Sequence, residues 1–164
     1  MKDIFRTGMG QDSHRFLPDD SSKPCIIGGV IFEDCPGFKA NSDGDVVFHA
    51  LCRAISSLTG ETILGTKADE MLLKDGITDS SSYLKEAIKT LKKQTIVHVA
   101  IIIEALRPRM QEHYEVLRNS IANALSIRPD QVGITFSTGE GLTDVGCGDG
   151  ANCLALITTH ENIG

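Results

Sequence analysis

Asp12 and His14 are separated by one residue, so on an extended segment both side chains leave the same face. A carboxylate and an imidazole placed in this way have the spacing of a metal-ligand pair. His49, four residues after Asp45, is the third candidate. One carboxylate with two imidazoles fills three positions of a zinc ion and leaves the fourth for water or a substrate oxygen, as open rather than structural zinc sites do. Asp-x-His pairs are also common among ordinary surface residues, so the pair alone leaves both readings standing. His98, His113 and His160 read as structural or surface residues.

The second chemical stretch is Ser137-Thr138-Gly139-Glu140-Gly141-Leu142-Thr143, followed by Gly146, Gly148 and Gly150. Small residues let a backbone approach a phosphate closely, hydroxyls and amides donate to its oxygens, and Glu140 could hold a hard divalent cation. A flexible connection between strands would have the same glycine density.

These residues need elements to position them. Phe5 to Gln11 reads as a short strand, and Cys25 to Phe32 as a second strand interrupted at Gly28-Gly29 by a bulge or tight bend. Asn41-Ser42-Asp43 offers acceptors for the open end of a helix through Val47, Leu51, Ala54 and Ile55, with Asp43 and Asp45 near its positive end. A second helix starts near Asp79 and Ser80, with Tyr83, Leu84, Ala87, Ile88 and Leu91 at helical spacing. Thr95 to Glu104 is the strongest strand, rich in β-branched residues, and Pro108 closes it. A helix over Glu112 to Leu125 and strands over Val132 to Ser137 and Asn152 to Thr159 follow. The alternation selects an α/β fold of the α+β sandwich type, with helices on one face of a mixed four- to five-stranded sheet. No repeat or linker divides residues 1–164, which read as a single domain.

The 164 residues carry 16 basic and 22 acidic side chains, a net charge of −6, which gives no general attraction for nucleic acid or an anionic membrane. An anionic ligand must therefore be met locally, by a metal or by backbone donors. The longest apolar stretch, Thr95 to Leu106, contains His98 and Glu104 and falls short of the roughly 20 residues of a bilayer span. The first dozen residues hold no signal-peptide core, which points to a cytoplasmic location. Five cysteines, at 25, 35, 52, 147 and 153, are odd in number and lack C-x-x-C spacing, as expected of free thiols. Cys52 and Cys153 read as small core residues.

Taken together, Met9-Gly10-Gln11-Asp12-Ser13-His14-Arg15-Phe16, Gly28-Gly29-Val30, Ser42-Asp43-Gly44-Asp45 with His49-Ala50-Leu51, Pro108-Arg109-Met110 and Ser137-Thr138-Gly139-Glu140 resemble, in order and spacing, the 2-C-methyl-D-erythritol 2,4-cyclodiphosphate synthase family. The resemblance covers nearly the whole chain. It implies a homotrimer with active sites between subunits, converting the small molecule 4-diphosphocytidyl-2-C-methyl-D-erythritol 2-phosphate to the cyclic diphosphate with release of CMP. Asp12, His14 and His49 would hold one Zn²⁺ per subunit, and Glu140 a Mg²⁺ or Mn²⁺ bridging the diphosphate. Thr138 would steady the transition state and Ser42 would contact a substrate phosphate. Pro108, Arg109 and Met110 would accept the cytosine ring. Asp12, Ser13, His14, Asn41, Gly65, Ser137, Gly139 and Glu140 complete the substrate-binding set that the resemblance implies.

Several positions depart from the family pattern, as in a divergent branch. The histidine expected before Ser-Asp-Gly-Asp is Asn41, placed in a catalytic position but without charge. The ribose-binding Asp-Ile-Gly lines up with Ile63-Leu64-Gly65, leaving Glu61 or Asp69 as candidate replacements for the carboxylate. Cys147 stands where an arginine often lines a central cavity for isoprenoid diphosphates. Two rival functions fit the same residues: a zinc-containing trimeric binding protein for a cytidine nucleotide or isoprenoid diphosphate, and a zinc hydrolase of another phosphate ester. Tight CMP binding without turnover would mark the first, and a linear product the second.

Overall fold

A computed structural model describes residues 2–164. The β-branched run of β4 (Thr95–Ala105) sits inside a four-stranded sheet of order β1-β6-β4-β5, between β6 (Gly150–Ile163) and β5 (Val132–Ser137). The outer strand β1 (Lys2–Arg15) pairs antiparallel with β6 along its full length. β6 pairs antiparallel with β4, and β4 runs parallel to β5. The sheet is thus mixed, and α4 (Tyr114–Leu125) lies in the connection that its parallel pair requires. Before α4, residues 111–113 form a 3-10 turn, so the regular helix begins two residues after the expected Glu112.

The interruption of Cys25 to Phe32 at Gly28-Gly29 is the tight bend and not the bulge. The segment is a hairpin of β2 (Pro24–Ile27) and β3 (Val30–Pro36), separate from the main sheet. Gly28 and Gly29 form its two-residue turn with φ of 59° and 76°, the left-handed pair that a tight hairpin demands.

Helix α1 (Val46–Thr59) is capped by Asp45, whose side chain accepts from the Val47 and Phe48 amides. The Asn41-Ser42-Asp43 acceptors predicted for that role lie outside it. Helix α3 (Ser80–Lys89) starts where expected, capped by Asp79. Helix α2 (Ala68–Asp75) was not foreseen. It follows a kinked turn over 63–67 in which Gly65 takes a φ of 93°.

Helices cover one face of the sheet, and the core is built where they meet it. Val99, Ile101 and Ile103 on β4 and Cys153, Ala155 and Ile157 on β6 point inward with Leu51, Ile55, Leu117 and Ile121. Cys52 is also buried, and all five cysteines are free thiols. The opposite face carries no helix, and large apolar side chains stand on it: Phe5 is 64% exposed, Met9 59%, Ile102 48% and Leu156 38%. No helix is long and apolar enough to cross a membrane among the described residues.

Candidate active site

Helix α1 lies unusually deep on β1. A Cβ placed on Gly10 would stand 2.1 Å from the Ala50 carbonyl oxygen, and one on Gly8 2.3 Å from that of Ala54. Only bare glycine backbone permits this contact. Its result is that His49, in the first turn of α1, reaches the two side chains that β1 presents further along the same face. Asp12 Oδ2 lies 3.0 Å from His14 Nε2 and 3.0 Å from His49 Nδ1, and the two ring nitrogens are 3.2 Å apart.

These separations suit a shared ion. Zinc with ligand bonds of about 2.0–2.1 Å in tetrahedral geometry needs its ligand atoms roughly 3.3 Å apart. One oxygen and two ring nitrogens of that spacing, all within 4.8 Å of one another, form a candidate metal site. Burial pushes the Asp12 carboxyl up, but hydrogen bonds from His14 and His49 more than reverse this and hold it well below the usual carboxylate range. It stands ready as an ionised ligand.

The second nitrogen of His49 is also committed. Nε2 lies 2.9 Å from Ser80 Oγ and 3.4 Å from Ser42 Oγ. The Ser80 hydroxyl donates to Asp43 Oδ1, whose other oxygen accepts from the Ser80 backbone amide at 3.0 Å. With a metal bound, a proton on Nε2 donated toward Ser80 would leave the Nδ1 lone pair for the ion, in place of the hydrogen bond that Nδ1 otherwise donates to Asp12. Sequence reasoning missed this relay, having read Asp43 and Ser80 only as helix-start residues.

Asp45 works one turn earlier. It is fully buried and accepts from the Gly28 amide at 2.8 Å and the Gly29 amide at 2.7 Å, besides its two helix amides. Burial raises its carboxyl to about 6 against the pull of these donors. One carboxylate thereby ties the β2–β3 turn to the start of α1.

Around the triad opens a cleft of about 210 Å³. Asn41, Ser42 and Gly65 line it, together with Arg53 and Asp69. Of the two carboxylates considered for the ribose position, Asp69 faces the cleft and Glu61 pairs outside it with Lys92 at 3.5 Å. The loop bearing Asn41 and Ser42 is pinned from below by Lys23, whose Nζ donates to the carbonyls of Phe38, Ala40 and Ser42 at 2.8, 2.9 and 2.7 Å.

The remaining predicted residues stand elsewhere. Pro108, Arg109 and Met110 line a second cleft of about 330 Å³ with Ser137 and Thr138. Gly139 and Glu140 follow in the adjoining loop, both with positive φ, and Glu140 is exposed. Ser13 points to the other face of β1, into a small cleft with Asp144 and Asp149. The two main clefts occupy the same end of the sheet, since Ser13, Asn152, Glu104 and Ser137 form one row across β1, β6, β4 and β5. They lie on opposite edges, three strand spacings or about 14 Å apart. One chain therefore carries the predicted residues in two separate clefts.

The chain also matches known proteins over nearly its whole length. The YgbB family model matches residues 5–160. A protein from Chlamydia felis named 2-C-methyl-D-erythritol 2,4-cyclodiphosphate synthase is 58% identical over 162 residues, covering 98% of this chain and 92% of its own. The solved 2C-methyl-D-erythritol 2,4-cyclodiphosphate synthase of Plasmodium vivax superposes with a TM-score of 0.80 at 29% identity, over 98% of this chain and all of that one. The IspF of Plasmodium falciparum, solved as a CDP complex, has a TM-score of 0.80 at 25% identity, covering 96% and 97% of the two chains. With its fold, its clustered Asp12, His14 and His49 and these full-length matches, the chain belongs to the YgbB family.

Proposed function

We propose that the protein is a lyase-class enzyme that converts 4-diphosphocytidyl-2-C-methyl-D-erythritol 2-phosphate to 2-C-methyl-D-erythritol 2,4-cyclodiphosphate and CMP, a step of non-mevalonate isoprenoid synthesis. The Chlamydia felis relative bears the name of that activity, and the Plasmodium falciparum neighbour binds a cytidine diphosphate. The observation that carries the reading is the meeting of Asp12, His14 and His49 beside a cleft lined by Asn41 and Ser42.

In the reaction, an oxygen of the 2-phosphate forms a bond to the β-phosphorus, the bond from that phosphorus to the bridging oxygen breaks, and CMP departs with the oxygen and its electron pair. Two anionic groups must meet against their mutual repulsion, so alignment and charge neutralisation supply the catalysis and no protein nucleophile is needed. When bound, a zinc ion on Asp12, His14 and His49 and a magnesium or manganese ion on Glu140 would supply positive charge to the phosphoryl oxygens. Ser42 and Asn41 donate hydrogen bonds to the phosphate seated above the triad. Thr138 donates to the oxygens that gain charge at the β-phosphorus. The backbone of Pro108 to Met110 receives the cytosine ring, and Gly65 with Asp69 faces the ribose.

The separation of the two clefts supports a homotrimer with active sites between subunits. A rotation that brings the β5 edge of one subunit against the β1 edge of the next would join the two half-sites, and a closed ring of three would complete three sites. The bare apolar face of the sheet supports such a ring. Turnover of the cytidylyl substrate with Mg²⁺, followed by phosphorus NMR, tests the reading. Equal amounts of CMP and cyclic product are expected, whereas a linear diphosphate, or no turnover in metal-replete protein, would overturn it.

A further inference from the structure

The phosphate-bearing cleft has little positive charge for the anions it must hold. Among its described lining residues, Asp12 and Asp69 are carboxylates, Asn41 is neutral, and Arg53 is the single lysine or arginine. Four residues after His49, Arg53 shares the triad-facing side of α1. It is admitted there by Gly10, since a Cβ on that glycine would stand 2.8 Å from the Arg53 Cβ.

The two oxygens of Asp12 divide their work. Oδ2 faces both imidazoles at 3.0 Å, while Oδ1 lies 3.5 Å from Arg53 Nε. That contact is long for a hydrogen bond and uses one edge of the guanidinium. The two terminal nitrogens have no ion-pair partner among the described residues, and the side chain is 53% exposed. A planar fork with unused donors, anchored beside the triad and open to the cleft, is suited to a tetrahedral anion.

We propose that Arg53 is a phosphate-binding residue that takes, through its terminal nitrogens, the β-phosphoryl group seated over the Asp12, His14 and His49 cluster. It supplies the fixed charge that Asn41 lacks. This assignment rests on the cyclisation reading and deepens it, by naming the group that meets the phosphate under attack.

Calorimetric titration of metal-loaded protein with CDP and with CMP tests it, since only CDP carries a β-phosphate. In Arg53→Gln the CDP affinity falls by about tenfold or more and the CMP affinity changes little, as expected for loss of a charge-assisted hydrogen bond. Arg53→Lys recovers part of the loss. In turnover the glutamine variant loses kcat/KM with unchanged zinc content. Unaltered CDP affinity, an equal loss for CDP and CMP, or a fall in zinc content would each overturn the assignment, the last by showing that Arg53 acts through Asp12. A wild-type protein that binds neither nucleotide would remove the cyclisation reading and this assignment with it. Wild-type turnover with an indifferent glutamine variant removes the assignment alone.

Discussion

Ser80 Oγ stands 2.9 Å from His49 Nε2 and donates its own hydrogen bond to Asp43, so a residue at the start of one helix is left to accept from a ring on another. Replacing Ser80 with Ala frees the ring to turn and to change tautomer. Outer partners of metal-bound histidines are worth about 10- to 100-fold in metal affinity. Competition with a chelating dye should show a loss of that size in Ser80→Ala, with the melting temperature little changed. Unchanged affinity would reduce the relay to a packing contact.

His49→Ala should leave the protein folded but close to devoid of zinc, measured by elemental analysis, because it removes the ligand that joins α1 to β1. Glu140→Gln should keep zinc and lose its response to added Mg²⁺. Zinc retained at wild-type level in the first variant would strike His49 from the ligand set.

Lys23 satisfies three carbonyls of the segment that carries Asn41 and Ser42. In Lys23→Met those acceptors lose their partner at a cost of roughly 1–3 kcal/mol. A lowered denaturation midpoint and faster amide exchange over 38–42 are expected, together with a larger fall in kcat/KM than in zinc content. Exchange that stays slow would show that the segment is held by other contacts.

Asp45 gives the metal-free protein an unusual pH dependence. Its carboxyl is raised by burial from the ordinary 3.8 to about 6, so the folded state holds the proton more tightly than the unfolded chain. That contribution is fully present below about 3.8 and is lost as the pH climbs through about 6. Asp45→Asn puts an amide donor against backbone donors and costs stability throughout, but it removes this slope. The stability gap between wild type and variant, from urea unfolding, should therefore narrow between pH 4 and 6. A widening gap would mean that the backbone donors outweigh burial.

A charge on the bare face of the sheet separates assembly from folding. Leu156→Glu, at a position 38% exposed in the single chain, should sediment as a monomer, keep its secondary structure and lose turnover. Mixing His49→Ala subunits with Glu140→Gln subunits should restore activity at about one site in four for random rings, because each lacks a different half. Absence of any recovery would place both halves within one subunit.

Much of the strand and helix order was legible. Alternation along β1 placed Asp12 and His14 together, the β-branched run marked β4, and Asp79 marked the start of α3. Spacing could not bring His49 to them, since that depends on how deeply α1 sinks onto Gly8 and Gly10. Short-range patterns could not show how far apart the two clefts lie. Thr138 and Asp12 are separated by the pairing order β1-β6-β4-β5, which is set by contacts between the two ends of the chain. Helix α2 escaped because it is short, follows the kink at Gly65 and leaves Leu73 83% exposed, so no apolar stripe announced it. The role of Ser80 was invisible for a simpler reason: helix capping already accounted for the residue.

The glycine seam beneath α1 bears on how related sequences can be judged. An inventory of ligands does not establish that a chain can hold an ion. One methyl group at position 10 would collide with the Ala50 carbonyl and lever the helix outward, with the aspartate and both histidines still present. A homologue with an intact triplet but a bulkier residue under that helix is thus expected to be metal-poor, and small residues at 8 and 10 become a criterion for competence as telling as the ligands themselves.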